Sequence, residues 1–210
     1  MNLFITGTDT GVGKTYVTVL LTRWLAGHGE RVIPIKPICC GDRQDAILLQ
    51  EACNQPGLSL DEINPCWLKT PAAPLAAALL ENVSISVPAL VDHVLARAMP
   101  STHVLVEGVG GWEVPITATE SVASLATALK FPVAVVVDNK LGALNHTLLT
   151  VKRIESAGLR LAGLILNHTK PQRDAASISN RHLLETILGF PILAELLFDA
   201  DSIELEGWDG

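Results

Sequence analysis

The chain has 210 residues, 49% of them hydrophobic and 18% charged, and its 15 Lys and Arg against 22 Asp and Glu give a formal net charge of -7. This composition can bury a sizeable core, which excludes wholesale disorder, and the length favours a single domain over residues 1–210. The acidic balance, together with the lack of any basic run, predicts that nucleic acid is not a partner.

Membrane insertion and secretion are also disfavoured. No segment approaches the roughly 20 uninterrupted apolar residues of a membrane-spanning helix. The first apolar stretch is broken by Gly7 and Asp9, too early for a signal peptide. The cysteines have neither zinc-type spacing nor the density of a disulfide framework; they are Cys39, Cys40, Cys53 and Cys66. These features predict a cytoplasmic protein with reduced cysteines and no membrane partner.

Short apolar runs alternate with longer amphipathic stretches along the chain. The runs predict buried strands at 3–6, 31–35, 102–107, 132–138, 161–167 and 191–194. The stretches predict helices near 14–28, 44–53, 87–99, 121–130, 143–157 and 174–188. Because tight hairpin turns are lacking between the strands, the pattern predicts an α/β fold: a single doubly wound, mostly parallel sheet with helices on both faces.

Two segments fall outside this alternation. Residues 55–78 carry four prolines and form either an insertion or substrate-covering loop, or a plain surface excursion. Residues 199–210 are acidic and are predicted to form a flexible tail.

A glycine-rich loop follows the first strand and reads GTDTGVGKT from Gly7 to Thr15. Glycines let the backbone turn tightly and bring N–H groups against phosphate oxygens, and the following helix offers its positive end. Lys14 would neutralise the β- and γ-phosphates, and the Thr15 hydroxyl would hold Mg²⁺. The first Gly stands one residue earlier than in the usual G-x-x-x-x-G-K-S/T pattern. The motif nevertheless predicts a P-loop that binds ATP.

Three further charged residues lie where predicted strands end. Glu107 ends the third strand, and Lys36 directly follows the second, with Asp45 shortly after it. In open α/β sheets ligands bind at the carboxyl ends of strands, so the carboxylates are candidate Mg²⁺ ligands and Lys36 a candidate to stabilise a transferring phosphoryl group. The alternative is that each is a solvated surface charge or a helix cap. Trp112 either covers this site or packs beneath it.

The motifs together resemble the dethiobiotin synthetase family. They are GTDTGVGKT, IKPICCG with RQDA after it, LVEGVGGWEVPI, DNKLGALNHTLLT and GLILN, in this order from about Leu3 to Leu197. The resemblance implies an ATP- and Mg²⁺-dependent ligase of biotin biosynthesis that closes a ring on 7,8-diaminononanoate and CO₂. It also implies release of ADP and phosphate through a carbamate and a carbamoyl-phosphate-type mixed anhydride, and a homodimer with the substrate site at its interface.

The resemblance also assigns roles to residues. The catalytic ones would be Lys36, Lys14 and Thr10, and the metal ligands Thr15, Asp45 and Glu107. The ATP-binding set would be Gly11, Val12, Gly13, Lys14, Thr15, Tyr16, Asp45, Glu107, Gly108, Val109, Gly110, Asn167, His168, Leu196, Leu197 and Phe198. The substrate-binding set would be Thr10, Lys36, Cys40, Leu141, Gly142 and Asn145, the last three facing the partner subunit's substrate. Asn167 would read adenine, since an amide carries both a donor and an acceptor.

The chain departs from the family at two places, and rival interpretations stay open. Cys40 stands where many members carry a small hydroxyl residue, and Ala194 to Phe198 lack the family's proline after the last strand. ParA- or MinD-like ATPases carry a lysine five residues before the P-loop lysine, where this chain has Asp9. An amide ligase of the cobyrinate type would need a further glutaminase domain. A homologue that binds nucleotide without reacting is the third alternative.

Overall fold

The computed structural model describes residues 2–53, 55–189 and 192–206. The strands in this part of the chain are β1 (Asn2–Gly7), β2 (Val32–Ile35), β3 (Ile38–Cys40), β4 (Cys66–Leu68), β5 (His103–Glu107), β6 (Val133–Asp138), β7 (Leu161–Asn167) and β8 (Ala194–Leu196). The helices are α1 (Lys14–Gly27), α2 (Gln44–Cys53), α3 (Leu60–Ile63), α4 (Pro74–Glu81), α5 (Val87–Leu95), α6 (Val122–Leu129), α7 (Ala143–Ser156) and α8 (Ala175–Leu188).

Six parallel strands form the central sheet in the order β2-β5-β1-β6-β7-β8. Pro34 lies within β2, which is the edge strand beside β5, a position where the missing N–H costs no ladder bond to a second neighbour. Because all strands run the same way, the loops after β1, β5 and β7 open at one edge of the sheet. The predicted doubly wound parallel sheet is confirmed.

Helices cover both faces of the sheet because side chains alternate along each strand. On one face, Phe4 lies in a buried cluster with residues of α5, α6, α7 and α8. On the other face, Leu3 and Ile5 pack against apolar side chains of α1. No helix among the described residues has the length and apolar character needed to cross a membrane.

The last strand does not lie where the sequence predicts it. The prediction was 191–194, of which residue 191 lies outside the described residues, and the observed strand is β8 at Ala194–Leu196, with Ala194 opposite Ile165. Apart from Glu195, apolar residues continue to Phe198, and no turn residue marks the end of the strand. Hydrophobicity alone therefore predicts a strand in this segment but does not define where the strand starts.

The proline-rich segment is a folded insertion rather than a plain surface excursion. Its strand β4 pairs in parallel with β3, which gives a separate two-stranded sheet, and α3 and α4 flank that strand. Ser59 caps α3 by accepting a hydrogen bond from the Glu62 N–H, while the Glu62 carboxylate accepts one from the Ser59 N–H. The insertion thus has local order of its own.

The acidic segment after residue 199 lies against the domain over its described part. Ile203 is buried in the same cluster as Leu3 and Ile5. The Glu206 N–H donates to the Leu193 carbonyl at 2.7 Å, and the Glu206 carboxylate pairs with Arg181 at 2.7 Å. This packing differs from the expected flexible tail because one apolar residue among the acidic ones docks on the core. Residues 207–210 lie outside the described residues.

Candidate active site

The glycine-rich loop ends at an uncapped helix. Gly13 is the N-cap of α1, with a φ of 91° and no side-chain cap, so the first N–H groups of α1 are free for an anion. A Cβ at Gly13 would lie 2.2 Å from the Asn167 amide nitrogen, which explains why glycine is needed there. Lys14 begins α1, and its Nζ donates to the Asp9 carbonyl oxygen at 3.0 Å. The loop is therefore shaped to hold phosphate.

A cleft of about 650 Å³ opens beside this loop. The loop forms one wall, the ends of β2, β3 and β5 form the floor, and the start of α4 with the residues before it forms the opposite lip. The lining residues are Thr10, Gly11, Gly13, Lys14, Thr15, Lys36, Cys39, Cys40, Asp42, Asp45, Pro71, Ala72, Ala73, Pro74, Glu107, Val109, Gly110 and Val114.

A cluster of charges lies at the bottom of the cleft. Glu107 is fully buried, and its Oε1 accepts from the Thr15 hydroxyl at 2.8 Å and from Lys36 Nζ at 2.5 Å. Lys36, which is 4% exposed, also donates to Asp45 Oδ2 at 2.7 Å. The ends of β2 and β5 and the starts of α1 and α2 therefore place four predicted site residues in direct contact.

Burial and the same charged contacts shift the pKa values of Lys36, Asp45 and Lys14. Burial opposes the charge on Lys36, but the Glu107 and Asp45 carboxylates outweigh it and hold the pKa of Lys36 above its usual value. For Asp45, burial alone would raise the pKa, and the ion pair with Lys36 instead keeps the pKa below its usual value. Burial, with help from the Lys36 charge, lowers the pKa of Lys14 to about 8. Lys36 is therefore a fixed cation, and Lys14 is one that can lose its proton.

The donor set fits a magnesium ion. The second carboxylate oxygen of Glu107, Oε2, is buried and has no hydrogen-bond partner among the described residues. Such an orphaned oxygen beside the Thr15 hydroxyl and the Asp45 carboxylate suits a hard cation that prefers oxygen ligands and also takes phosphate oxygens and water. Thr15, Asp45 and Glu107, the three predicted ligands, would hold the ion.

The structure brings most of the predicted phosphate and catalytic residues into this cleft. Those that line it are Thr10, Gly11, Gly13, Lys14, Thr15, Lys36, Cys40, Asp45, Glu107, Val109 and Gly110. Val12 is buried behind the loop, and a Cβ on Gly108 would meet Val122 and Phe4 of the core. The remaining predicted residues lie at two other places along the same edge of the sheet.

The predicted adenine-binding residues lie on the far side of the loop from the charge cluster. Asn167 ends β7, and its amide Nδ2 donates to the Val12 carbonyl oxygen at 2.9 Å. Tyr16 donates its hydroxyl to the Ala200 carbonyl oxygen. Leu197 and Phe198 follow β8 and are about half exposed. Of this group, Asn167 contacts the P-loop directly, and Tyr16 joins the helix after the loop to the segment after β8.

His168 is an exception among the predicted ATP-binding residues. Its imidazole is buried, with Nε2 at 2.7 Å from the Glu195 carboxylate and 3.1 Å from the Asn139 amide nitrogen. It lines a second, smaller cavity of about 120 Å³ rather than the main cleft. Its side chain therefore belongs to a buried polar network, since β7 turns successive side chains to opposite faces.

Leu141, Gly142 and Asn145 do not line the cleft of their own chain. They lie at the start of α7, where Gly142 is an N-cap with a φ of 92° and no side-chain cap. Leu141 is 80% exposed and Asn145 is exposed. The free N–H groups of this helix terminus are suited to a carboxylate.

Sequence reasoning missed the lip of the cleft. Pro71, Ala72, Ala73 and Pro74 give it an apolar wall, and only the proline-rich composition hinted at a covering loop. Burial raises the pKa of the Cys40 thiol to about 11, so Cys40 is a neutral wall residue rather than a nucleophile. Trp112 is buried and packs edge-to-face on Phe4, with ring centroids 6.4 Å apart. Of the two interpretations, Trp112 therefore packs in the core rather than covering the site.

Comparisons with known proteins give two kinds of likeness. A family profile described as an AAA domain matches residues 1–203. A protein of Akkermansia muciniphila named ATP-dependent dethiobiotin synthetase BioD is 42% identical over 98% of this chain and 96% of its own. A protein of the same name from Xylella fastidiosa strain Temecula1 is 36% identical over 93% of this chain and 89% of its own.

Solved structures with low sequence identity to this chain share its fold. MinD in the MinC:MinD complex of Aquifex aeolicus superposes with a TM-score of 0.60 at 17% identity, covering 94% of this chain and 81% of that one. The signal recognition particle receptor FtsY of Elizabethkingia anophelis, solved with GDP, gives a TM-score of 0.64 at 12% identity over 98% of this chain. This chain spans only 60% of the FtsY chain. These likenesses confirm the P-loop NTPase type of fold and nothing finer.

Proposed function

We propose, since the chain belongs to the family of ATP-dependent dethiobiotin synthetases, that it is a ligase of biotin biosynthesis that makes dethiobiotin from 7,8-diaminononanoate, CO₂ and ATP. The observation that supports this most directly is the buried contact of Lys36 with Glu107 and Asp45 beneath the P-loop. It fixes the Lys36 ammonium, together with two carboxylates that could hold a metal ion, where a carbamate and a γ-phosphate would meet. ADP and phosphate would be the other products.

The reaction needs positioning and charge rather than a side-chain nucleophile. One amine of the diamine adds to CO₂ and loses a proton, which gives a carbamate. A carbamate oxygen then attacks the γ-phosphorus and ADP leaves; the second amine attacks the carbonyl carbon and phosphate leaves, which closes the ring. Negative charge develops on oxygen in each step, so preorganised cations supply most of the catalysis.

Each cleft residue has a role in this scheme. The N–H groups at the start of α1 hold the phosphates, and Lys14 lies against the bridging and terminal phosphates. Lys36 binds the carbamate and the transferring phosphoryl group from the floor, and Thr10 lies beside the amines at the mouth. When bound by Thr15, Asp45 and Glu107, Mg²⁺ supplies further positive charge to the phosphate oxygens. The apolar lip formed by Pro71, Ala72 and Ala73 excludes water from the mixed anhydride.

The substrate's own carboxylate has a separate receptor in this proposal. The uncapped start of α7 with Leu141, Gly142 and Asn145 does not reach the cleft of its own chain. A homodimer in which this terminus faces the partner's cleft would place it at the far end of a nine-carbon chain. Such an interface would cover the exposed side chains of Leu141 and Leu149. Location in the cytoplasm stays a prediction.

The test is a coupled assay with purified protein, 7,8-diaminononanoate, bicarbonate and Mg·ATP. We expect ADP release to require both the diamine and bicarbonate, and mass spectrometry to detect dethiobiotin in equal amount. ATP hydrolysis indifferent to the diamine, without dethiobiotin, would overturn the proposal and favour a ParA- or MinD-like ATPase. ADP release that requires glutamine instead would favour the amide ligase.

A further inference from the structure

Lys36 lies at the point where the chain leaves the central sheet. β2 ends at Ile35 and is the edge strand, so its ladder with β5 stops one residue before Lys36. The proline-rich insertion holds the backbone of Lys36 instead: the Lys36 N–H donates to the Ile63 carbonyl, and the Lys36 carbonyl accepts from the Asn64 side-chain amide, both at 2.8 Å. The position of this buried lysine therefore depends on a segment outside the sheet.

The Asn64 side chain is buried, at 1% exposed, and both ends of its amide have partners. Its Nδ2 donates to the Lys36 carbonyl and, at 3.0 Å, to the Cys66 carbonyl, while its Oδ1 accepts from Arg43 Nε at 3.0 Å. A flipped amide would set an oxygen against two carbonyl oxygens, so the contacts allow one orientation only. Asn64 therefore fixes Lys36, the start of β4 and Arg43 relative to one another.

Arg43 extends this connection to the start of α2. It directly precedes α2, the helix whose second residue is Asp45. Its guanidinium also donates to the Asn64 carbonyl at 2.9 Å and lies 5.2 Å from the ring centre of Trp67. The segment that carries Lys36 and the segment that carries Asp45 are thus both tied to Asn64, on the side of the chain away from their own ion pair.

We propose that Asn64 is a positioning residue for Lys36: by holding the Lys36 carbonyl and Arg43 together, its amide sets the place of the Lys36 ammonium between Asp45 and Glu107. Asn64 does not line the cleft, so it acts through Lys36 rather than on a ligand. A misplacement of about 1 Å by a change remote from the chemistry can cost about 10²-fold in rate. The inference rests on the proposed function in taking Lys36 as a cation of the reaction, but the place of Lys36 can be measured without that reaction.

The first experiment observes the Lys36 ammonium directly. A proton–nitrogen spectrum of lysine side chains detects an ammonium whose protons exchange slowly, as in a buried ion pair, and loss of the signal in Lys36→Met assigns it. In Asn64→Leu, a neutral side chain with the same branching, we expect the Lys36 signal to shift or broaden, because the ammonium moves relative to its carboxylates. Asn180→Leu is the matched control: its amide is 2% exposed and donates to the Lys140 carbonyl at 3.1 Å, and its loss should leave the Lys36 signal unchanged.

Kinetics then separates positioning from a general loss of structure. With diamine, bicarbonate and Mg·ATP, we expect Asn64→Leu to lower kcat about tenfold to a hundredfold while ADP affinity changes less than about threefold. In the Lys36→Met background the same substitution should lower kcat no further, because Asn64 then has no ammonium to position. A merely structural role would instead give two losses that add.

Three results would overturn the proposal: an unchanged Lys36 signal in Asn64→Leu, an unchanged kcat, or a further loss of kcat in the double variant. Arg43→Met decides the matter if Asn64→Leu does not fold. It removes the donors to Asn64 from a partly exposed side chain and should also shift the Lys36 signal, and no shift would count equally against the proposal. Because the spectrum needs no substrate, it tests this inference even where the wild-type protein makes no dethiobiotin, a result that would refute the proposed function instead.

Discussion

At the ends of β2 and β5, Lys36 lies 2.5 Å from Glu107 and 2.7 Å from Asp45, and the lysine and the glutamate are almost fully buried. After β8, by contrast, Leu197 and Phe198 are large, apolar and about half exposed. In the first region each charge has an opposite charge beside it, and Glu107 Oε2 alone among these carboxylate and ammonium groups is buried without a hydrogen-bond partner in the described part of the chain. The second leaves apolar surface open for a ligand to cover. The proposed function therefore predicts that the reacting groups meet charges already fixed by ion pairs, and that the nucleotide base meets side chains that are still partly exposed.

The strongest test of the prearranged region is Lys36→Met, which keeps the length of the side chain and removes its charge. We expect kcat to fall about 10²- to 10³-fold, the range for loss of one preorganised charge donor, with ADP affinity changed less than about threefold. Turnover and calorimetry on the same preparation measure both. Lys130→Met, an exposed lysine at the end of α6, is the control. Equal loss of kcat and of ADP affinity would show that Lys36 binds nucleotide rather than the reacting groups.

The same substitution also tests whether the buried charges depend on one another. Lys36→Met leaves Glu107 buried without its cation, and breaking a buried pair in this way costs about 3 kcal/mol of unfolding free energy. The double variant Lys36→Met/Glu107→Gln removes the orphaned charge and should recover more than half of that loss. Urea denaturation measures both. A double variant no more stable than the single one would contradict the mutual dependence of the pair.

The two regions also differ in how far the sequence predicts them. The loop Gly7 to Thr15 and Glu107 could be placed because each directly follows or ends a buried strand, and parallel strands bring their ends together. The contact between Lys36 and both carboxylates depends on side-chain geometry that no pattern encodes.

The segment around β8 and the lip of the cleft are poorly predicted for a different reason. Strands β3 and β4 have only three residues each, too few to show a period, and they pair across an intervening stretch that contains α2 and α3. The run from Ile192 to Phe198 is apolar except for Glu195 and has no turn residue that marks the end of β8. Ile203 docks because of tertiary packing, although its neighbours are acidic. Local signals fail where long-range packing decides.

The start of α7, with Leu141, is a third region to compare, because the proposed function predicts that two chains associate there. Leu141→Asp puts a charge on the 80%-exposed residue before α7 and should weaken self-association at least tenfold, because a buried unpaired charge is costly at an interface. Sedimentation over a concentration series measures this. Leu79→Asp, at a 73%-exposed position on α4, is the matched control and should leave association unchanged. Equal association of both variants would mean that the start of α7 faces solvent.

The smallest expected effect concerns the loss of a proton from Lys14. Burial, and then the charge of Lys36, lowers the pKa of Lys14 to about 8, below the ordinary value of 10.5. The unfolded chain therefore binds more protons than the folded one between these values, and the stability of the ligand-free protein should rise with pH across that window. Phosphates beside Lys14 favour its charged form, so nucleotide binding should take up a proton above pH 8.

Affinity for Mg·ADP should consequently be flat below about pH 7 and fall about fivefold between pH 8 and 9, as free Lys14 loses its charge. Asp9, Asp45, Glu107 and Lys36 also face Lys14, and the shifts of Asp45 and Lys36 carry their titrations away from this window. Calorimetry in two buffers of different ionisation enthalpy would count the proton. Lys14→Arg keeps its charge to far higher pH and should give a flat profile. A fall that persists in Lys14→Arg would assign the titration to another group and remove Lys14 as the proton-dependent member of the site.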